Sequence, residues 1–514
     1  MGTPIRTEWS KSTSDYLILS SNPFVLFLLV LLLYSLTLLF APLRIIDDAY
    51  ISFRYALNFR FHHELVFNLG ERVEGITNLL WTLVLSVTNG DLAFRALSLS
   101  VVTNLWTLYR LWRLGESLEL PHFASAFIAA SLAINTQFIL ATTNGLEAGL
   151  YSMILCEICV QLSRDRRCAA ALLVGLLFMT RPDGITAFPG FMLSLYILGC
   201  RRRAWIYPML ALCAIPVMVT AFRVIYYHDW LPNSVVAKAY PIQEFRQLLH
   251  FGFKYILGFL QESGYWLMLP MMALGSYRYL WNSLTIERRA VLAFSVLTVM
   301  SSWAVVLRNG GDWMPNFRLL AQYMPLLACI SMITIVKRVP RAWIMFIIFL
   351  WPLTWTGLSI KKCGGRIGQF SRSGSINDFW NESASRLKPL VGADDVISAE
   401  ALGFISFQLL NVRMHDPVGL TDKYIARHGQ PMMLYGKVDS QYTLSVVSPT
   451  VALWHYTGHL STVPPEVLQR YRTWRFGPDA GTMSTIMMIR NDQVDRLLPA
   501  VQGWTEIEAL AIPR

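Results

Sequence analysis

Two adjacent carboxylates, Asp47 and Asp48, stand just past a long apolar run and Pro42, and they open the string DDAYISFRYA over 47–56. Carboxylates held this close repel one another, and at least one is driven toward its protonated form unless a cation or a proton donor compensates. Such a pair suits a general base or a contact to a metal or a phosphate. A base there takes the proton from a hydroxyl as that oxygen attacks an activated group. The competing reading is a solvated pair at the start of the helix that follows, where negative charge is favoured. Spacing alone leaves both open.

Further groups suited to chemistry recur in short polar stretches between apolar runs. His228-Asp229 lies beside Trp230 and Asn233, so the carboxylate can orient or charge the imidazole while the indole stacks on a sugar face. Asp312-Trp313 follows Gly310-Gly311, a flexible approach to a carboxylate beside an aromatic, which suits a ligand with polar edges and apolar faces. Glu74 and Glu147 are additional acids, ranked below the Asp pair because Glu74 has Arg72 as an expected partner. Arg54, Arg181, Lys238, Arg308 and Arg318 are the cations available to a phosphate, which the planar fork of arginine grips well. Each also has the plainer use of snorkelling to lipid headgroups, and Tyr226, Tyr227 and Trp230 equally suit an interfacial aromatic belt. Cys156 and Cys159 have CxxC spacing but sit inside an apolar segment with no second pair or histidine nearby. No cofactor is demanded by any motif. A divalent cation stays open, since its several oxygen ligands cannot be assembled from spacing. No glycine-rich nucleotide cradle is visible, which disfavours a nucleotide-sugar donor.

The elements that must position these groups are membrane helices. The chain has 514 residues, 54% of them hydrophobic and 15% charged, and repeated apolar runs are each long enough to cross a hydrocarbon core of about 30 Å. A soluble enzyme, a disordered chain and a nucleic-acid binder are poor readings of that composition. Expected spans are 24–41, 94–113, 122–142, 146–162, 168–180, 185–200, 204–226, 256–275, 290–307, 318–336 and 342–360. The stretch 76–90 is expected as a juxtamembrane or re-entrant helix. With it excluded, five basic clusters fall on one side: Arg110/Arg113, Arg164/Arg166/Arg167, Arg201–Arg203, Arg288/Arg289 and Lys337/Arg338/Arg341. Cytoplasmic loops carry such clusters, so most of the net charge of +11 reports orientation rather than an acidic partner. The same parity places 42–93, 143–147, 181–183, 228–247 and 309–317 on the outer face, where their acids and cations converge on one expected site.

The strings DDAYISFRYA and VFNLGERVEGITNLLW (66–81) resemble the first outer loop of the GT-C glycosyltransferases. The branch they resemble is typified by the mycobacterial terminal β-(1→2)-arabinofuranosyltransferases. The likeness continues through TTNGLE (142–147), TRPDG (180–184), YYHDWLPNS (226–234) with Lys238, GGDWMPNFR (310–318) and DPVGLTDKYIAR (416–427). These motifs stand in order from about residue 42 to about 430. The versions at 144–147 and 312–315 depart from the branch and leave the sugar open. The resemblance implies a polyprenyl-phosphate sugar donor, catalysis on the outer face of a bacterial plasma membrane, and an acid of the first outer loop at the active centre. On that basis Asp47 or Asp48 is the expected base. Arg54, Arg181, Lys238 and Arg318 are expected on the donor phosphate, with Glu74, Glu147, His228, Asp229, Asn233, Asp312 and Trp313 on sugar or acceptor.

After residue 360 the composition shifts. Residues 361–377 are rich in Gly, Ser, Lys and Arg, and no later apolar run has span length. The expectation is a mainly α, polytopic GT-C module of about eleven spans over 1–360, followed by a soluble α/β domain over 361–514 on the outer side. Within it 396–399, 446–454 and 482–489 read as strands and 400–410 and 466–474 as helices. The acceptor is expected to be an envelope polysaccharide, a lipid-linked glycan or a pilin-type protein. Alternatives are transfer of another sugar such as mannose, a lipid or polysaccharide transporter, for which repeat-related halves would be expected and are not seen, and a non-catalytic glycan-binding subunit.

Overall fold

The computed structural model describes residues 22–41, 43–87, 89–118, 122–199, 202–240, 244–265, 281–282, 284–312, 314–335, 379–432, 434–477 and 485–508. The expected span 342–360, the linker 361–377, the basic cluster at 337–341 and Trp313 lie outside them. The chain is mainly helical, and among the described residues its strands all come after residue 395. It divides into two compact units. One comprises Met1–Arg44, Ala96–Val217 and Gln247–Ile360; the other comprises Ile45–Arg95, Met218–Arg246 and Lys361–Arg514. The C-terminal chain therefore does not stand apart at residue 360, because two segments from the first half of the sequence fold with it.

In the helical unit, the first helix runs over Pro23–Phe40. Asn22 caps it by accepting from the N–H groups of Phe24 and Val25, and Pro23 fits the first turn, where no N–H partner is needed. It is apolar on every side, and most of its large side chains are exposed, the composition of a helix solvated by lipid. Ile206–Tyr227 and Ile286–Asn309 are also long and apolar enough to cross a membrane. His122–Ala133 and Thr136–Thr142 make a fourth crossing if the pair, bent by 62°, is one span. Ala148–Ser163 and Arg167–Thr180 are apolar but shorter. Helix length among the described residues thus supports three or four crossings by itself. Of the expected span 256–275, residues 256–263 end the helix Phe245–Ser263, which carries charged residues, and 266–275 lie outside the described residues. Polar bonds lock the bundle internally. Ser194 Oγ donates to the Ala290 carbonyl at 2.8 Å, and Arg110 clasps Glu157 through Nε at 2.6 Å and Nη2 at 2.8 Å.

The second unit holds a six-stranded sheet in the order β2-β1-β5-β7-β6-β8. Its strands are β1 (Val396–Ala399), β2 (Arg413–His415), β5 (Val451–Trp454), β6 (Tyr471–Phe476), β7 (Thr485–Arg490) and β8 (Thr505–Ile507), while β3 (Gln430–Met432) and β4 (Gly436–Val438) form a separate antiparallel pair. β1 runs parallel to both β2 and β5, and the remaining pairings are antiparallel. Every residue of β5 is buried, as is β7 up to Ile489, so the central strands are apolar on both faces. Trp454, Tyr471, Ile486 and Met488 pack with Leu444, Leu460 and Val467 to form the core on one side.

Two sequence expectations change here. The helix expected over 466–474 stops at Leu468, and Tyr471–Phe476 is a strand. Tyr471 and Thr473 point inward while Arg472 points out to Glu506 of β8, the two-residue period of a strand in an aromatic and β-branched run. The strand expected over 446–454 begins only at Val451, since 443–447 form a helical turn closed by Ser448 in the left-handed region at φ 49°. The expected juxtamembrane helix in 76–90 is Leu79–Ser86, eight residues long and too short to cross.

Candidate functional site

In the sheet-containing unit the acid pair opens the helix Asp47–His62 as its first two residues. That is the geometry of the plainer sequence reading, but the Asp47 carboxylate is not given over to solvent. Oδ2 accepts the N–H of Gly403 at 3.0 Å and Oδ1 the N–H of Phe404 at 2.8 Å, so Asp47 caps the helix Leu402–Gln408 from a distant part of the chain. Burial lifts its pKa to about 6; the amide of Phe404 pulls the other way, and the charge of Asp48 adds to the rise. A carboxylate poised near neutrality is suited to accept a proton and return it.

Close behind lies a cluster that the sequence did not reveal. Glu400 follows β1 and His455 follows β5, so the two meet at the carboxyl ends of adjacent parallel strands, a usual place for functional groups in α/β sheets. Glu400 Oε2 is 2.6 Å from His455 Nδ1 and accepts the backbone N–H groups of His455 and Tyr456. Its Oε1 lies 2.9 Å from His459 Nε2, and His459 Nδ1 is 2.9 Å from Ser440 Oγ. Burial would raise the Glu400 pKa but is outweighed by the two imidazoles, which hold it well below the usual range. For His455, burial opposes the charge and Glu400 overcomes it, with Asp47 adding to the rise. The signal available in the sequence was a chemistry-bearing residue directly after each of two short apolar runs, Glu400 and His455.

Several expected site residues of this unit have their polar groups engaged within the protein. Arg54 was expected on a phosphate; instead its guanidinium is buried and donates to the carbonyls of Phe67, Ser406, Leu409 and Val412 at 2.6–3.2 Å. With weaker bonds to Asn68 Oδ1 and the Leu410 carbonyl, all five N–H groups are engaged. Glu74 pairs with Arg223, not with Arg72. Arg223 Nε lies 3.0 and 2.8 Å from its two oxygens, and both side chains are buried. Arg72 lies over the Tyr226 ring instead. Asn233 donates through Nδ2 to the carbonyls of Gly419, Leu420 and Asp422. Asp229 was expected to orient His228, but its carboxylate is taken by Lys423 at 2.8 Å and Arg427 at 2.6 Å, while His228 is exposed with φ 58°. Lys238, exposed after the short helix Asn233–Ala237, has no ion-pair partner among the described residues.

The helical unit brings together Glu147, Arg181, Asp183 and Gln322. Arg181 Nη1 binds Glu147 Oε1 at 2.6 Å, Nε binds Asp183 Oδ1 at 2.9 Å, and Gln322 Nε2 donates to Asp183 Oδ2 at 3.1 Å. The fork is oriented by two carboxylates, and Nη2 has no acceptor among the described residues. Tyr151, Tyr323 and Thr186 line the same cluster through a chain of hydroxyl contacts. Asp312 and Arg318 form a second pair, buried and tightly bonded, and Asp312 Oδ1 also accepts the Met314 N–H. Arg308 is exposed at the end of Ile286–Asn309. Sequence reading named Glu147, Arg181, Asp312 and Arg318; it missed Asp183 as a partner and Gln322 altogether.

A scan against protein-family models finds no match to the chain, and a search of curated proteins finds none. The chemistry of these clusters is therefore read from their own geometry. Among the described residues no three or more His, Cys, Asp and Glu side chains converge as a metal-ligand set, so the divalent cation left open by the sequence gains no set of ligands there.

Proposed function

We propose that the protein is a membrane glycosyltransferase of GT-C architecture. It moves a pentose, arabinofuranose in the first instance, from a polyprenyl-phosphate donor to an acceptor on the outer side of a bacterial plasma membrane. The acceptor is an envelope polysaccharide, a lipid-linked glycan or a pilin-type protein. The observation that carries the reading is Asp47: a carboxylate at a helix start just past a membrane-length helix, lifted by burial to about 6. A base in that range is ionised at neutral pH and accepts a proton from a hydroxyl as the glycosidic bond forms. Asp47 or Asp48 serves as that base. Arg181, whose fork is aimed by Glu147 and Asp183, and Arg318, bound to Asp312, are the cations proposed for the donor phosphate. The ordered motifs from 47 to 427 support the donor class, and the membrane-length helices support a lipid-borne donor.

The test is transfer of radiolabelled sugar from synthetic polyprenyl-phosphate arabinofuranose in membranes containing wild type, Asp47→Asn or Asp48→Asn at equal expression. Transfer by wild type that collapses in either variant supports the reading. Equal transfer by all three removes the acid pair from catalysis. No transfer by any of them moves the assay to other polyprenyl-phosphate sugars, mannose first, and refutes the arabinofuranose assignment.

A further inference from the structure

The helix Phe245–Ser263 has three faces. Leu248, Gly252, Tyr255, Ile256 and Phe259 are buried. Gly252 sits so close to the end of Ile286–Asn309 that a Cβ there would fall 2.6 Å from the Val306 carbonyl oxygen, so this side of the helix is fixed and the other sides are set by it. The second face is an exposed apolar row at four-residue spacing, Phe245, Leu249, Phe253 and Leu257, with Phe253 55% exposed. The third, one residue on, is an exposed row of Arg246, His250 and Lys254. Arg246 and Lys254 have no carboxylate partner among the described residues. The helix is not among those apolar enough to cross a membrane.

An apolar ridge flanked by an unpaired basic ridge is the pattern of a helix that lies at the lipid–water boundary. The ridge enters the acyl region, and the cations meet phosphate at the headgroups. Charge complementarity selects the surface: zwitterionic lipid offers no net charge, whereas anionic phospholipid offers one per headgroup. We infer that Phe245–Ser263 is an interfacial helix that docks on anionic phospholipid through Phe245, Leu249, Phe253 and Leu257, with Arg246, His250 and Lys254 on the headgroups. Each basic residue at such a surface gives about a fivefold preference for anionic over neutral lipid. This inference is independent of the sugar chemistry.

The experiment uses the full chain in nanodiscs of phosphatidylcholine alone or of equal parts phosphatidylcholine and phosphatidylglycerol. A spin label is placed at Phe253→Cys or at Lys254→Cys in a background without other cysteines. The expected result in phosphatidylglycerol is a label at 253 accessible to oxygen and shielded from aqueous nickel, and a label at 254 with the reverse preference. Loss of phosphatidylglycerol raises nickel access at 253, and so does the double change Arg246→Gln/Lys254→Gln. Oxygen access at both positions in both lipids means a crossing helix and overturns the inference. Shielding of 253 from both reagents means a protein partner and overturns it equally. Because a labelled variant can fail to fold, wild type is compared with Arg246→Gln/Lys254→Gln using spin-labelled phosphatidylglycerol as the probe. Equal immobilisation of that lipid by the two proteins also refutes anionic docking.

Discussion

The carboxylate of Asp47 accepts the backbone N–H of Phe404 at 2.8 Å, across more than three hundred residues of chain. The bond makes one side chain answer to two demands. It closes the open N–H groups at the start of Leu402–Gln408, and it holds a carboxylate where burial pushes it toward neutrality. The start of the helix Asp47–His62 is thereby tied to the start of Leu402–Gln408.

The pH dependence of stability follows in sign from that burial. An unfolded Asp titrates near its ordinary 3.8, and Asp47 in the folded chain titrates at about 6. Between those values the folded chain keeps a proton that the unfolded chain has shed, so stability falls as pH rises through the window. With Asp47 half-buried, the effect across that window is about 2 kcal/mol. Thermal unfolding in detergent from pH 4 to 7 is expected to show this decline in wild type and a flatter profile in Asp47→Asn. If Asp47 is the base, transfer activity rises over the same range, since only the ionised form accepts a proton.

Gly403 has no room for a side chain. A Cβ there would fall on the Asp47 carbonyl oxygen and close to its carboxyl carbon. Gly403→Ala is therefore expected to push the start of the helix Asp47–His62 off the Leu402–Gln408 helix, with a loss of about 1–3 kcal/mol typical of overpacking. Transfer should fall with it, while Gly392→Ala, where the added atom meets nothing within 4 Å, leaves both unchanged. Paired melting and transfer measurements on the two variants check this.

The sequence announced the mainly helical character and three or four membrane-length helices among the described residues, and the sheet part unevenly, for physical reasons. An apolar run such as 24–41 is long and apolar enough to cross a membrane, and length and composition suffice to show it. Tyr471–Phe476 was misread because Arg472 and Arg475 stand three apart, the spacing of one helix face, whereas in the strand they fall on opposite faces, Arg472 exposed and Arg475 half-buried. Asp47, Glu147 and Arg181 stood out because charge near apolar runs is costly. Glu400 and His455 did not, because what makes them a pair is the adjacency of β1 and β5, which lies in strand order rather than in spacing. Arg54 shows the reverse failure: an arginine in a polar loop reads as a phosphate ligand, and only the fold shows its N–H groups spent on carbonyls 352–358 residues away.

Arg54 should tolerate no conservative exchange. Lysine keeps the charge but offers one nitrogen where the structure uses three, spread over carbonyls on both sides of a planar fork. Arg54→Lys and Arg54→Met are both expected to destabilise by several kcal/mol, since each leaves buried carbonyls without donors at about 1–3 kcal/mol apiece. The check is limited proteolysis: a phosphate-binding role would instead predict an intact fold in Arg54→Lys with a raised KM for donor.

Glu74 and Arg223 are each almost wholly buried and meet through a close ion pair. Removing one partner strands the other's charge, which in buried pairs costs about 3–5 kcal/mol, whereas replacing both with apolar residues of similar size is often neutral. Glu74→Met and Arg223→Met are thus expected to melt far below wild type, and the double variant to recover most of the loss. Glu74 was also a candidate sugar contact, and the same three proteins separate the two roles. Recovery of stability together with transfer in the double variant assigns Glu74 to the fold alone. Recovery of stability with transfer still absent assigns it a contact with substrate that no packing replacement can supply.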